Sequence, residues 1–274
     1  MILTPIRRYG AMLLMLLTLV FSSEVLAKTH TTTASQKSHL TKASNKQVSS
    51  KQEYSRNSAK SSSLPDLRKY PSGTPRKKAF LRTVMPYITS QNAAITAERN
   101  WLISKQYQGQ WSPAERARLK DIAKRYKVKW SGNTRKIPWN TLLERVDIIP
   151  TSMVATMAAA ESGWGTSKLA RNNNNLFGMK CMKGRCTNAP GKVKGYSQFS
   201  SVKESVSAYV TNLNTHPAYS SFRKSRAQLR KADQEVTATA MIHKLKGYST
   251  KGKSYNNYLF AMYQDNQRLI AAHM

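Results

Sequence analysis

Aspartate and glutamate are the side chains through which a chain of this composition moves protons, and they are scarce: residues 72–274 hold ten. Most have an ordinary use. Glu98, Glu115 and Asp121 lie on stretches where Lys or Arg recurs three or four residues away, which predicts solvated ion pairs, and Glu144 and Asp147 fit the same description. Asp233 and Glu235 fall where a helix N-terminus attracts acids, and Asp265 stands alone on a polar face. Glu161 differs. It follows Met153-Val154-Ala155-Thr156-Met157-Ala158-Ala159-Ala160, a helical run nearly free of polar groups. A carboxyl there is expected to be partly desolvated and to sit at the negative end of the helix dipole, and both effects favour its protonated form. Trp164, one turn later, can supply an apolar wall. This is the setting in which a glutamic acid serves as general acid. The ordinary alternative is a last-turn residue beside a stop at Gly163.

Other chemistries find less support. His216 precedes Pro217 at a helix end and His243 sits among aliphatic residues, so both read as capping or packing groups, and neither belongs to a metal spacing. Cys181 and Cys186 flank the Lys183-Gly184 turn without a nearby histidine, which favours a disulfide stapling a small hairpin over a zinc site. No Gly-rich phosphate loop and no Ser-His-Asp order is present. Neither a metal nor a cofactor is expected.

The ordered blocks around Glu161 carry a resemblance. Met157-Ala-Ala-Ala-Glu161-Ser-Gly-Trp-Gly165 followed by Asn175-Leu-Phe-Gly-Met-Lys180 resembles the signature of the bacterial glucosaminidases of glycoside hydrolase family 73, and the likeness continues through Tyr196-Ser-Gln-Phe199, Glu204-Ser205 with Tyr209, and Gly247-Tyr248-Ser-Thr250. It spans about residues 140–272. The resemblance implies a lysozyme-like fold and an endo-β-N-acetylglucosaminidase that cuts peptidoglycan glycan strands on the reducing side of N-acetylglucosamine. By it, Glu161 matches the general acid, Asn175 to Gly178 a loop lining the cleft, and Tyr248 a tyrosine near the sugar. Pyranose rings offer apolar faces, so Trp164, Phe177 and Tyr196 are candidates for stacking on sugar, with Asn175 reading hydroxyl or acetamide groups.

Two departures bear on mechanism. Several family members carry a second carboxylate in the hairpin, whereas this sequence has no Asp or Glu between Glu161 and Glu204, and Lys251-Gly-Lys-Ser precedes the second tyrosine, Tyr255. Two-carboxylate glycosidases need the second group about 5 Å away as nucleophile, or roughly 6.5–9.5 Å away to activate water. Glu204 is the candidate, yet Ser201-Val202-Lys203-Glu204 is also a capping-box pattern. Substrate-assisted hydrolysis needs only one carboxyl, because the substrate's own 2-acetamido oxygen attacks the anomeric carbon. On that route Glu161 makes both proton transfers and Tyr248 orients the acetamido group. A catalytically silent wall-binding module is the rival that the missing acid favours.

The elements that must position these residues are mainly helical, giving an α+β class with one small β hairpin lobe. Helix signals begin at Arg76, with Asn92 to Tyr107 reading as a helix of its own. They continue from the capping box Ser112-Pro113-Ala114-Glu115 to about Lys127, from Trp139 to Ile149, and from Pro150 to Gly163. Asn172 to Ser200 reads as loop and hairpin. Helix returns at Lys203–Asn214, Tyr219–Lys231, Val236–Lys246 and Tyr255–Ala272.

Ahead of the helices, residues 1–27 combine Arg7 and Arg8, an apolar run and Val25-Leu26-Ala27, the pattern of a secretory signal peptide too short for a comfortable membrane span. Residues 28–71, basic and rich in Ser and Thr, read as a disordered tether, leaving 72–139 as a helical extension and 140–274 as the glucosaminidase domain. The net charge of +32 draws the chain toward polyanions. Export points to acidic envelope polymers rather than nucleic acid, and to a periplasmic or secreted monomer.

Overall fold

Pro75 sits where a helix can begin at no cost, since the first-turn N–H groups lack intrahelical partners anyway. From it, α1 runs as one helix, Thr74–Ser104, through Pro86, where the sequence suggests a break before Asn92. Pro86 is on the exposed side, so the carbonyl it leaves without a donor faces solvent, while Phe80, Leu81, Val84, Met85, Ile88, Ile95 and Leu102 hold the buried face on both sides of it. The computed structural model describes residues 63–181, 186, 189–246, 248 and 252–274. The expected signal peptide and residues 28–62 of the expected tether lie outside them.

Helix α2, Pro113–Arg125, begins at the predicted capping box: Ser112 Oγ accepts from Glu115 N and the Glu115 carboxylate accepts from Ser112 N. Helix α3, Trp139–Arg145, stops four residues short of the predicted end. One half-buried and one fully buried guanidinium group claim the carbonyls there. Arg99 Nη1 donates to Leu143 O and Val146 O, and Arg226 donates to Glu144 O, Asp147 O and Ile148 O. Asp147 is therefore no solvated ion pair. It is 1% exposed, 3.0 Å from Arg230 and 3.6–3.7 Å from Arg99 and Arg226, because arginines distant in sequence converge on it.

The apolar run predicted to lead to Glu161 forms α4, Thr151–Ser162. Asn92 of α1 fixes its start, donating to Ile149 O at 2.8 Å and Thr151 Oγ1 at 3.1 Å. Met153, Val154 and Met157 are buried all round, each contributing about 1.5–3 kcal/mol by leaving water. After α4 come α5 (Lys168–Asn173), α6 (Val202–Thr215), α7 (Ser220–Lys231), α8 (Ala238–Ile242) and α9 (Lys253–Ala271). Helix α4 packs against α1, α8 and α9, α1 also packs against α6, and α3 against α7. The described parts of 72–139 and 140–274 thus share one core.

Part of the expected tether also belongs to the folded core. Residues 63–71 of the predicted tether are ordered. Leu64 and Leu67 are buried, a 3-10 turn spans Leu67–Lys69, and Asp66 caps it. The two leucines pack on Gly165, where a Cβ would come within 2.6 Å of Leu67 Cδ1.

The hairpin expected between Cys181 and Tyr196 has no strand among the described residues. One antiparallel bridge, Lys180 to Tyr196, is present, along with the Cys181–Cys186 disulfide. Asparagine side chains make the cross-links a ladder would make. Asn173 exchanges hydrogen bonds with Val193, Asn174 donates to Phe199 O, and Asn175 donates to Met179 O and Ser197 O. No helix among the described residues is long and apolar enough to cross a membrane.

Candidate active site

Glu161 stands in the last turn of α4, and Gly163, left-handed at φ 56°, ends the helix. Trp164 and Gly165 follow with positive φ of 55° and 78°, so Gly-Trp-Gly is a left-handed reversal that two glycines make affordable. Ser162 locks it, its Oγ donating to Ala158 O and accepting from Gly165 N at 2.8 Å. The reversal turns Trp164 toward α1. Its ring meets Phe80 edge-on at 5.6 Å, and Lys77 Nζ, held by Asn266 Oδ1 at 2.7 Å, lies 5.1 Å over it.

Two elements close on the carboxylate. Tyr255, in the first turn of α9, donates its hydroxyl proton to Glu161 Oε1. From the other side comes the loop after α5, where Gly178 has φ 64° and a Cβ there would stand 3.3 Å from Glu161 Oε2. The loop is pinned to α6 by Leu176 N donating to Ser205 Oγ at 3.2 Å.

Asn175 is 1% exposed, and its amide is spent inside this loop: Nδ2 donates to Met179 O and Ser197 O, while Oδ1 accepts from Phe177 N and Met179 N. It shapes the loop and has no free group for a ligand, contrary to the reading role expected of it. Phe177 is likewise buried at 3% exposure, its face covered by Tyr209 at 3.9 Å with an interplanar angle of 3°. Core packing, not sugar, takes that ring. Tyr196 is half-buried at the Lys180 bridge.

Tyr248 joins the carboxylate through aromatic neighbours. It stacks on Tyr255 (5.5 Å, 20°), meets Tyr209 edge-on at 6.3 Å and lies 6.2 Å from Tyr219. Burial first, then the nearby Glu161 charge, holds the Tyr248 hydroxyl well above the ordinary tyrosine range; burial, Tyr248 and the hydrogen bond to Glu161 do the same for Tyr255. Both remain protonated donors at neutral pH. Tyr255 and Tyr209 received no role from the sequence. The available signals were a second tyrosine opening the last helix, and a phenol within the apolar stripe Val202, Val206, Tyr209, Val210, Leu213 of α6.

The other acids with described partners are committed elsewhere. Asp66, Glu98, Glu115, Asp121, Glu144 and Asp147 pair with Arg or Lys. Glu204 accepts from Ser200 N at 2.6 Å and Ser200 Oγ at 2.7 Å while Ser201 Oγ accepts from its N–H, so it is a helix cap. Among the described residues no three His, Cys, Asp or Glu side chains gather as metal donors. Two cavities lie away from Glu161. One of about 950 Å³ is between residues 63–70 and α1, and another of about 400 Å³ is along α6. The carboxylate and its hydroxyl neighbours define the site better than volume does, since a polymer needs an open track.

Residues 138–268 match the family model Glucosaminidase, described as mannosyl-glycoprotein endo-beta-N-acetylglucosaminidase. No solved structure matches the chain. With Glu161 and its loop inside the matched region, residues 138–268 form a glucosaminidase domain of glycoside hydrolase family 73, which marks a glycoside hydrolase acting on peptidoglycan.

Proposed function

We propose that this chain hydrolyses peptidoglycan glycan strands as an endo-β-N-acetylglucosaminidase, with Glu161 as its proton-transfer group and the substrate's acetamido oxygen as nucleophile. The observation that carries the reading is the bond from the Tyr255 hydroxyl to Glu161. Every other carboxylate with a described partner is neutralised by a cation or used as a cap, whereas Glu161 is held by a neutral donor beside a backbone loop. Glu161 protonates the leaving glycosidic oxygen as the acetamido oxygen closes on the anomeric carbon. As a carboxylate it then takes a proton from the water that reopens the ring, which returns it to the acid form. Tyr248, kept protonated by burial, donates to the acetamido group. Tyr258, 54% exposed and 6.3 Å from Tyr255, extends the aromatic row outward, with Tyr196 and the open part of Trp164 as further sugar contacts. The mainly helical architecture is compatible with a lysozyme-like fold.

Residues 1–27 as a signal peptide and a monomeric protein in the periplasm or medium complete the reading, with the basic surface drawn to acidic envelope polymers. The wall-binding rival is favoured by one observation, the use of Glu204 as a cap, which leaves no second acid in evidence. Digestion of purified peptidoglycan separates them. Wild type is expected to release fragments with N-acetylglucosamine at the new reducing end, and Glu161→Gln to lose about 10²–10⁴-fold in rate. Binding to the wall by both proteins with release by neither would leave only the binding module.

A further inference from the structure

Tyr209 is fully buried, yet its hydroxyl has no hydrogen bond of good geometry among the described residues. It faces Tyr248, with Tyr255 and Tyr219 nearby, and burial first, then these neighbours and a loose hydrogen-bonding contact with Tyr248, hold its proton far more tightly than usual. Phenylalanine would fill the same space: the ring packs flat on Phe177 and edge-on to Tyr248, and neither contact uses oxygen. An orphaned buried hydroxyl costs desolvation energy that Phe would not.

Four residues and one loop close a circuit around the carboxylate. Tyr255 bonds to Glu161 and stacks on Tyr248, Tyr248 meets Tyr209, Tyr209 stacks on Phe177, and the next residue, Gly178, returns the chain to Glu161. Tyr209 thus stands between the buried Phe177 ring and Tyr248, edge-on to the latter.

We infer that Tyr209 is a positioning residue for the acetamido-binding tyrosine: its hydroxyl donates to Tyr248 Oη in the substrate complex and so commits the Tyr248 proton to the sugar. This rests on the role proposed for Tyr248. The direction follows from the inventory of donors. If Tyr248 is to donate outward, its oxygen is free to accept from within, and Tyr209 is the buried donor facing it. Accepting such a bond also strengthens Tyr248 as a donor. In the resting state the two hydroxyls interact without forming a well-aligned bond, and substrate binding tightens that contact.

The test compares Tyr209→Phe, Tyr248→Phe and the double variant, by peptidoglycan turnover and by affinity for a thiazoline analogue of N-acetylglucosamine, which mimics the closed acetamido ring. Tyr209→Phe is expected to melt at or above the wild-type temperature, to lose about tenfold in kcat and in thiazoline affinity with KM little changed, and to add nothing in the Tyr248→Phe background. Normal turnover and thiazoline binding in Tyr209→Phe, with both impaired in Tyr248→Phe, overturn this inference alone. Multiplying effects in the double variant overturn it as well. Wild-type behaviour of Tyr248→Phe, or a wild type that neither digests the wall nor binds the thiazoline, overturns it together with the reading on which it rests.

Discussion

Replacing Gly178 by alanine should injure activity more than stability, and the structure gives the size of both effects. The residue holds φ at 64°, where an L side chain costs about 1–2 kcal/mol. For a core of this size that lowers the melting temperature by about 2–8 °C. The new Cβ would also stand 3.3 Å from Glu161 Oε2, so either the carboxylate or the loop must yield by a few tenths of an ångström. Misplacement of a reacting group by about 1 Å can cost roughly 10²-fold, and a shift of a third of that predicts about a five- to tenfold loss in rate. Gly132→Ala supplies the control, because Gly132 has φ 89° but nothing within 4 Å of the position a Cβ would take. Both variants should lose similar stability in thermal melts, and only Gly178→Ala should release soluble fragments from peptidoglycan more slowly. Wild-type turnover by Gly178→Ala, or equal loss in the control, would refute the claim that the loop backbone sets the position of the carboxylate.

Asp147→Ala removes the anion facing Arg226, which is fully buried and whose pKa is lowered to about 10, chiefly by desolvation. Breaking such a buried pair costs about 3–5 kcal/mol, measurable as a fall in urea midpoint; a loss below about 1 kcal/mol would mean the other contacts of Arg226 suffice. Tyr248 and Tyr255 bind their protons more tightly folded than unfolded. The stability this contributes is therefore complete below the ordinary tyrosine value of about 10 and is lost as pH rises above it. Melting curves from pH 8 to 11 should show that decline, and Tyr255→Phe should make it shallower. An equal slope in the variant would place the alkaline sensitivity elsewhere.

Local patterns carried much of the architecture. The capping box at Ser112, the apolar run ending at Glu161 and the Gly163 stop are encoded within a few residues each, so α2 and α4 form where propensity and capping place them. Glu161 was legible as the unusual acid for the same reason, and Glu204 as a cap because its partners are its own neighbours. What the sequence could not disclose depends on residues far apart along the chain. Asp147 looked solvated because its arginines arrive from α1 and α7, and their claim on its neighbouring carbonyls ends α3 early. Residues 63–71 looked unstructured because the surface that receives Leu64 and Leu67 exists only once Gly165 and Phe80 meet. Phe177 and Asn175 have the chemistry to bind sugar, but burial spends the ring on Tyr209 and the amide on its own loop. Tyr255 became a partner of Glu161 only when α9 packed along α4, a contact spanning 94 residues that no local pattern encodes.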